Sequence, residues 1–309
     1  MGWGRHDDDR DHAVDIRAVD ALNIVAMLLL AIIVAFFRQP LGEVALWLLA
    51  TFATLVVLTA LLAFLSSRGR VWRAVHAFAP AFVIIVVFNT LGPIIDCTSP
   101  ARWDLTFARF DAALFGELSG AWRALLGRPS WFVDVAYGLY VSYYFVPVVL
   151  AVLVYRRERA TEFHCLVFTV VLTFYLSYIG YFLFPTLGPR VPFEAEPLAI
   201  GGGLVSSMAR SFIHFAERNQ TDAFPSGHTA VGLVCVYLAW RFSAVLGALY
   251  LPLVTGIIFS TVYLHYHYVV DVLAGMAAGC AGAWLGPRLE PLCEPRAVMK
   301  RMAVRFGIE

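Results

Sequence analysis

The sequence predicts an all-α, polytopic membrane protein with about eight transmembrane helices. Of its 309 residues, 60% are hydrophobic and only 15% are charged, and the mean hydropathy is +0.74. An ordinary soluble domain is markedly more polar. Apolar runs of roughly 18 to 24 residues recur along the chain, and such runs are long enough to cross a bilayer core of about 30 Å.

Eight of these apolar runs are predicted to span the bilayer. The first two lie within residues 20–66 and precede a six-helix core over residues 75–286. A polar tail of residues 1–19 and a basic tail of residues 287–309 flank the spans, and both tails are expected in the cytoplasm. The spans are predicted near residues 20–37, 42–65, 75–95, 132–155, 163–184, 226–242, 244–264 and 268–286.

Two segments between the spans are unsuited to crossing the bilayer. Residues 101–127 carry apolar side chains at helical spacing among several charges, which predicts a helix in the outer interface. Residues 185–224 are predicted to form an outer loop. Three carboxylates near the first segment, Asp96, Asp104 and Asp111, are candidates either for headgroup ligands or for the solvated face of the interfacial helix.

The sequence Phe224-Pro225-Ser226-Gly227-His228 has the features of a helix start. Proline and serine are preferred at the first positions of a helix, and His228 then falls in its first turn. Gly227 lets the backbone approach a ligand closely. Because the N–H groups at a helix start favour a bound anion, Ser226 and Gly227 are candidate anion-binding residues.

A second polar stretch runs from Ser260 to Asp271. On a helix, His267 and Asp271 would stand four residues apart on one face, so the carboxylate could accept from one imidazole nitrogen and leave the other free. A nucleophilic or basic histidine is made in this way. With His228 and the anion site, this pair predicts phosphoryl transfer through a histidine. His265 would not share a helix face with His267, and it could line a headgroup site or lie in the interface.

The order, residue types and spacing of these two stretches resemble the second and third signature motifs of the type 2 phosphatidic acid phosphatase superfamily. This superfamily comprises integral-membrane lipid phosphatases and phosphotransferases, and the resemblance covers the six-helix core. It implies that His267 is the nucleophile, that Asp271 is its partner and that His228 protonates the leaving group. It also implies that Ser226 and Gly227 bind the phosphate.

The chain departs from the superfamily pattern in two places. Ser260-Thr261 stands where Ser-Arg is usual, which leaves Ser260 as a candidate phosphate contact, and the first motif, Lys-x6-Arg-Pro, is not present as such. Arg190 is the only arginine in the first-motif position, and we expect it to neutralise the phosphoryl oxygens. These changes, with His265 and His267 beside tyrosines, make the chain more similar to the branch that contains inositol phosphorylceramide synthase.

The distribution of basic residues predicts the orientation of the predicted site. With eight spans, 15 of the 23 lysines and arginines fall on the side opposite the site, and 8 fall on the side of the site. Basic residues are enriched in cytoplasmic loops. The site is therefore predicted to face outward, toward the periplasm, the extracellular side or a lumen, with both termini in the cytoplasm.

The predicted activity is that of a membrane lipid phosphatase or phosphotransferase with a phosphohistidine intermediate. Its substrate would be a lipid phosphate or a phosphodiester headgroup. Water as acceptor gives hydrolysis, whereas a polyol or a ceramide-like alcohol gives headgroup transfer, and the sequence leaves both open. No cofactor is implied. A net charge of +1 without a basic stripe argues against a nucleic-acid partner.

A metal site and two other functions compete with this interpretation. His228, His265, His267 and Asp271 are plausible zinc ligands, but the imidazole–carboxylate pair already has a complete use in covalent catalysis, so we predict no metal. A serine intramembrane protease would use Ser226 as nucleophile, yet the Ser226 and His228 side chains cannot easily face each other. A proton-coupled transporter would use the histidines as a relay, but the spans show no matching halves.

Overall fold

The chain folds into α-helices joined mostly by short turns. The structure is a computed structural model that describes residues 16–99, 101–189, 201–217 and 219–293, and no strand occurs in these ranges. The predicted all-α class is therefore confirmed. The helices are α1 (Ala18–Phe36), α2 (Glu43–Leu65), α3 (Arg70–Thr98), α4 (Asp104–Phe115), α5 (Leu118–Leu126), α6 (Ser130–Ser142), α7 (Val146–Tyr155), α8 (Ala160–Leu183), α9 (Leu204–Ala216), α10 (Gly227–Phe242), α11 (Ala244–Tyr263) and α12 (Val269–Cys293), with single turns at Arg38–Leu41 and Ser66–Arg68.

Six helices in the described part of the chain are long and apolar enough to cross a bilayer, namely α1, α2, α3, α8, α11 and α12. Helices α6 and α7 pass the same test only as a pair, and they meet at a bend of 51°. Helix α10 has 16 residues, fewer than the roughly 20 that a membrane span needs. Each of the eight predicted runs thus coincides with a helix or with the bent pair, and the protein is a multi-pass integral membrane protein.

Helix α10 lies at the centre of the helical core. It packs against α7, α8, α11 and α12, and most of its side chains are buried. Gly232 permits the close approach of α11, because a Cβ at this position would lie 2.8 Å from a methyl group of Val254. The helix that begins just before His228 is therefore enclosed by protein on several sides, which fixes the position of its N-terminus.

Helices α1 and α2 pack on each other and on α3, and α1 also contacts α8 and α12. A buried polar network joins α1 to α3. The Asp20 carboxylate accepts a hydrogen bond from the Arg17 guanidinium at 3.1 Å and lies 3.0 Å from His76 Nε2. Because buried charges are tolerated only when they are paired, this network fixes the register of α1 against α3.

Two segments between the spans differ from the prediction. Residues 101–127 form two helices, α4 and α5, because Gly116 ends α4 with a φ of +62° that few other residues adopt. The predicted loop of residues 185–224 contains helix α9, which buries Ser206, Ala209 and Ile213 and packs on α6. An amphipathic helix of this length is too short to be recognised as a span. Arg190 lies outside the described residues.

Candidate active site

The first site segment is the start of α10. Ser226 is the N-cap of the helix, and its Oγ accepts from the Thr229 N–H at 3.4 Å and lies 3.2 Å from the Thr229 hydroxyl. Such capping defines where the helix begins and leaves the N–H groups of the first turn directed beyond its end. A Cβ at Gly227 would lie 2.9 Å from the Tyr181 hydroxyl, so a residue larger than glycine would displace a neighbour. The helix start predicted here is confirmed.

The second site segment is the turn between α11 and α12, and it corrects one expectation. His267 does not lie on a helix. Its backbone N–H donates to the Thr261 carbonyl at 3.1 Å, the Tyr266 N–H donates to the same carbonyl at 2.9 Å, and His265 has a φ of +66°. Helix α11 ends at Tyr263 and α12 begins only at Val269, so the predicted helical face shared by His267 and Asp271 does not form.

Asp271 nevertheless lies close to His267, because the first turn of α12 orients its carboxylate. Asp271 lies in the first turn of α12 with no exposed surface, and its Oδ2 accepts from the backbone N–H of Tyr268 at 2.8 Å. A side chain in the third helical position that bonds back to the N-cap N–H is one half of a capping box. The same Oδ2 lies 3.5 Å from His267 Nδ1. The carboxylate thus faces Nδ1 and leaves Nε2 available.

The two site segments are joined directly. The Ser226 N–H donates to the backbone carbonyl of Asp271 at 2.9 Å. Gly275, one turn further along α12, allows this contact, because a Cβ there would lie 2.5 Å from the Ser226 carbonyl oxygen. The rings of His228 and His267 are 5.7 Å apart between centroids. Two histidines 39 residues apart in the chain thereby reach one place, at the start of α10 and just before the start of α12.

These two histidines lie in the wall of a large, mainly apolar cavity. Its volume is about 830 Å³, and its apolar walls come from α3, α7 and α8. His228 is buried among tyrosines, with ring centroids 4.4 Å from Tyr140 and 4.0 Å from Tyr143. Cavities that bind small molecules are generally apolar with a few polar groups at one place. This one therefore offers space for an apolar ligand beside the two histidines.

The structure adds a carboxylate to the cavity wall that the sequence did not indicate. Glu217 is buried, and its Oε1 accepts from the hydroxyls of Tyr140 and Tyr144 at 3.1 and 2.6 Å. Glu217 follows α9, whereas both tyrosines lie at the bend between α6 and α7. The four tyrosines at positions 137 to 144 could have predicted an aromatic wall for the site. No residue near Glu217 in the sequence indicated that this carboxylate would bond to two of them.

Four predicted site residues do not line the cavity: Ser226 and Asp271, whose backbones are bonded to each other, and Ser260 and His265. The Ser260 hydroxyl is wholly buried and donates to the Ile257 carbonyl at 2.7 Å, within its own helix. His265 lies on the same turn as His267, two residues before it. The structure thus brings together Ser226, Gly227, His228, His267 and Asp271. Among the described residues, no three His, Cys, Asp or Glu side chains are arranged to hold a metal ion.

A family model described as the PAP2 superfamily matches residues 105–285. This match covers more than half of the chain and includes both site segments. The chain belongs to the PAP2 superfamily. No curated protein and no solved structure matches it significantly. Membership of the PAP2 superfamily supports a phosphatase-type function for this multi-pass membrane protein, and it confirms the resemblance noted from the two motifs at the level of the superfamily.

Proposed function

We propose that this PAP2 protein is a membrane lipid phosphoesterase that transfers the phosphoryl group through His267. Support comes above all from one observation: the paired histidines, 5.7 Å apart, lie at the wall of an apolar cavity of about 830 Å³. The two rings are near enough to each other for both to contact one phosphate bound at the cavity wall. His267 would then act at the phosphorus and His228 at the leaving oxygen.

The proposed reaction has two steps. In the first, His267 Nε2 forms a bond to phosphorus while the bond from phosphorus to the alcohol oxygen breaks and His228 donates a proton to that oxygen. Asp271 stabilises the positive charge that develops on the imidazole, since its Oδ2 faces His267 Nδ1. In the second step, His228 takes a proton from the acceptor, whose oxygen attacks phosphorus as the P–N bond breaks. His267 is thereby restored.

The start of α10 is the proposed phosphate cradle. Gly227 contributes a backbone N–H group at the helix N-terminus that Ser226 caps, and such a terminus favours an anion. The Ser226 N–H is itself bonded to the Asp271 carbonyl, so Ser226 orders the cradle. Arg190, which follows the described segment ending at residue 189, is proposed to neutralise the remaining phosphoryl charge. Ser260 and His265 receive no role in this mechanism, because the Ser260 hydroxyl bonds within α11 and neither residue lines the cavity.

The apolar cavity is proposed to accept the lipid tails, and this leads to a test on chain length. Ala151 of α7 lines the cavity and is buried. We expect Ala151→Phe to lower kcat/KM at least about tenfold for a long-chain lipid phosphate, and to change it no more than about twofold for a short-chain analogue, because the added ring occupies tail space. Turnover would be measured over a panel of labelled lipid phosphates and phosphodiesters. Equal losses on long and short chains would contradict the assignment of the cavity, and no turnover on any member would contradict the proposed function.

Headgroup transfer, as in the inositol phosphorylceramide synthase branch, is a second candidate activity. The observation in its favour is Glu217, which lines the cavity with His228 and is already bonded to two tyrosine hydroxyls. A carboxylate in this place can accept from the hydroxyls of a polyol or ceramide-like acceptor. Adding a ceramide or a polyol to the phosphodiester reaction distinguishes the two activities, since transfer yields a new phosphodiester and hydrolysis does not.

A serine protease mechanism receives no support from the site. The Ser226 side chain has no exposed surface and is occupied as the cap of α10, where it accepts from Thr229. A nucleophilic serine has to be reachable by substrate and bonded to its base. Ser226 is therefore better explained as a residue that orders the phosphate cradle.

We further propose that the site faces outward, with the termini in the cytoplasm, on the distribution of basic residues. Ser211 lies on the site side and Arg157 on the opposite side, and both are exposed. In a background with Cys97 and Cys280 changed to serine, Ser211→Cys is expected to react with an impermeant thiol reagent on intact cells, and Arg157→Cys only after lysis. The reverse pattern would place the site in the cytoplasm.

A further inference from the structure

Helix α4 contacts each of the three chain segments that carry the proposed site. It lies at the protein surface, with Leu105, Phe110 and Leu114 more than half exposed, whereas Phe107 is buried. The proposed mechanism uses no residue of this helix. Its inner face nevertheless reaches the segment before Arg190, the segment before Ser226 and the start of α12.

The first contact is made by Asp104. Its Oδ1 accepts from the backbone N–H groups of Leu187 and Gly188 at 2.9 and 3.0 Å. Gly188 has a φ of +81°, and a Cβ there would lie 2.7 Å from the Tyr266 carbonyl oxygen. The segment that Asp104 fixes is therefore packed against the turn that contains His267, and it leads directly to Arg190.

The second contact is made by Phe107. Its ring stacks on the ring of Phe224, with centroids 4.4 Å apart and an angle of 25° between the planes. Phe224 lies two residues before Ser226, the N-cap of α10. Stacked aromatic pairs contribute about 0.5–1.5 kcal/mol beyond the area that they bury. Phe107 thus supports the segment that enters the phosphate cradle.

The third contact is made by Asp111. Its Oδ1 accepts from the Val270 N–H at 2.9 Å. Val270 lies in the first turn of α12, where N–H groups have no partner within the helix. Asp111 therefore acts as a cap supplied from another helix. The residue after Val270 is Asp271, so this bond acts on the backbone that orients the carboxylate toward His267.

Keeping Asp104 and Asp111 ionised lowers the stability of the folded state. Burial raises the pKa of both Asp104 and Asp111 above the ordinary value, and the backbone N–H groups that they accept from only partly offset this rise. A raised pKa means that the ionised carboxylate is less favourable in the folded protein than in water. Carboxylates in such surroundings are concentrated at functional sites.

We propose that α4 is a positioning helix, whose residues Asp104, Phe107 and Asp111 align the three site segments for phosphoryl transfer. This inference depends on the proposed function for its kinetic consequence, but its structural consequence does not. None of the three residues touches the reacting atoms, so each acts through the backbone that it fixes. Misplacement by about 1 Å can slow an enzyme about 10²-fold, which sets the size of the expected effect.

The kinetic test uses three variants in the full-length protein. Asp111→Ala removes the acceptor for Val270, whereas Asp111→Asn keeps a carbonyl oxygen there. Glu162→Ala is the matched control, because the Glu162 carboxylate is exposed and pairs with Arg159 away from the site. We expect Asp111→Ala to slow phosphorylation of His267 in a single turnover about 10–100-fold with an unchanged amplitude. Asp111→Asn should recover a rate within about threefold of the parent, and Glu162→Ala should have the parent rate.

A purely structural role predicts a different result, namely a lower amplitude of active enzyme at an unchanged rate. That result would overturn the inference.

Hydrogen exchange provides the test that is independent of activity. Asp104→Ala should speed exchange of the Leu187 and Gly188 amides, and Asp111→Ala should speed exchange of the Val270 amide, each at least about tenfold. The control Glu162→Ala should change none of them. Unchanged exchange would overturn the positioning role whatever the substrate is. If exchange is faster in these variants but the parent protein shows no phosphoryl transfer, α4 would still be a positioning helix and the proposed function would be rejected.

Discussion

Replacing His267 by alanine is expected to lower kcat on a lipid phosphate at least about 10⁴-fold, because no other group can form the covalent intermediate. In this variant the Asp271 carboxylate loses the imidazole that it faces, since its Oδ2 lies 3.5 Å from His267 Nδ1 in the parent. The backbone should be unaffected, as the His267 N–H bond to Thr261 does not need the imidazole. The measurement is initial-rate hydrolysis of the best lipid phosphate by purified protein in bilayer discs.

The matched control for this variant is His164→Ala. His164 lies near the start of α8, where it is partly buried, and it does not line the cavity. Its replacement is expected to leave kcat within about twofold of the parent. Turnover by His267→Ala above about 10% of the parent rate would exclude His267 as the nucleophile, provided that both variants elute and unfold as the parent does.

Replacing His228 by alanine is expected to lower kcat about 10²–10⁴-fold on a lipid ester, whose alkoxide leaving group needs a proton. The loss should depend on the leaving group. An aryl phosphate with a nitrophenolate leaving group needs no proton, so His228→Ala should lose less than about tenfold of its rate of phosphoenzyme formation on that substrate. His267→Ala should remain inactive on both substrates.

This difference between substrates separates an acid from a residue that only binds. His228 is enclosed by the rings of Tyr140 and Tyr143, so its loss could also loosen the cavity wall. Loss of packing or of phosphate binding would lower the rates on the lipid ester and on the aryl phosphate by the same factor. Equal losses on the two substrates would therefore reject the role of His228 as the acid that protonates the leaving group.

The positions of the membrane helices could be predicted from the sequence, because the length and apolarity of each run determine whether it can cross a bilayer. The predicted runs 244–264 and 268–286 correspond to Ala244–Tyr263 and Val269–Cys293. The start of α10 could be predicted equally well, since Pro225 and Ser226 act through the local backbone geometry. Helix starts of this kind are recognised from the residue types at a few consecutive positions.

The remaining features of the site depend on contacts between distant residues. Asp104 and Leu187 are 83 residues apart in the chain, and Asp111 and Val270 are 159 apart, so no spacing rule connects them. The turn around His267 is likewise set by the Thr261 carbonyl, which ends α11 earlier than a continuous helical pattern implies. Asp271 and His267 lie 3.5 Å apart without the shared helical face that the sequence analysis assumed.

The phosphoenzyme on His267 is the most direct test of the proposed mechanism. Purified protein would be mixed with a labelled lipid phosphate, quenched in alkali within milliseconds, digested and sequenced by mass spectrometry. We predict an acid-labile, alkali-stable phosphate on the peptide that contains His267, present in the parent and absent in His267→Ala. With an aryl phosphate as donor, which needs no acid, the same phosphate should be longer-lived in His228→Ala because the acceptor is no longer deprotonated. Turnover of the lipid without any labelled peptide, or a label on another residue, would contradict the mechanism.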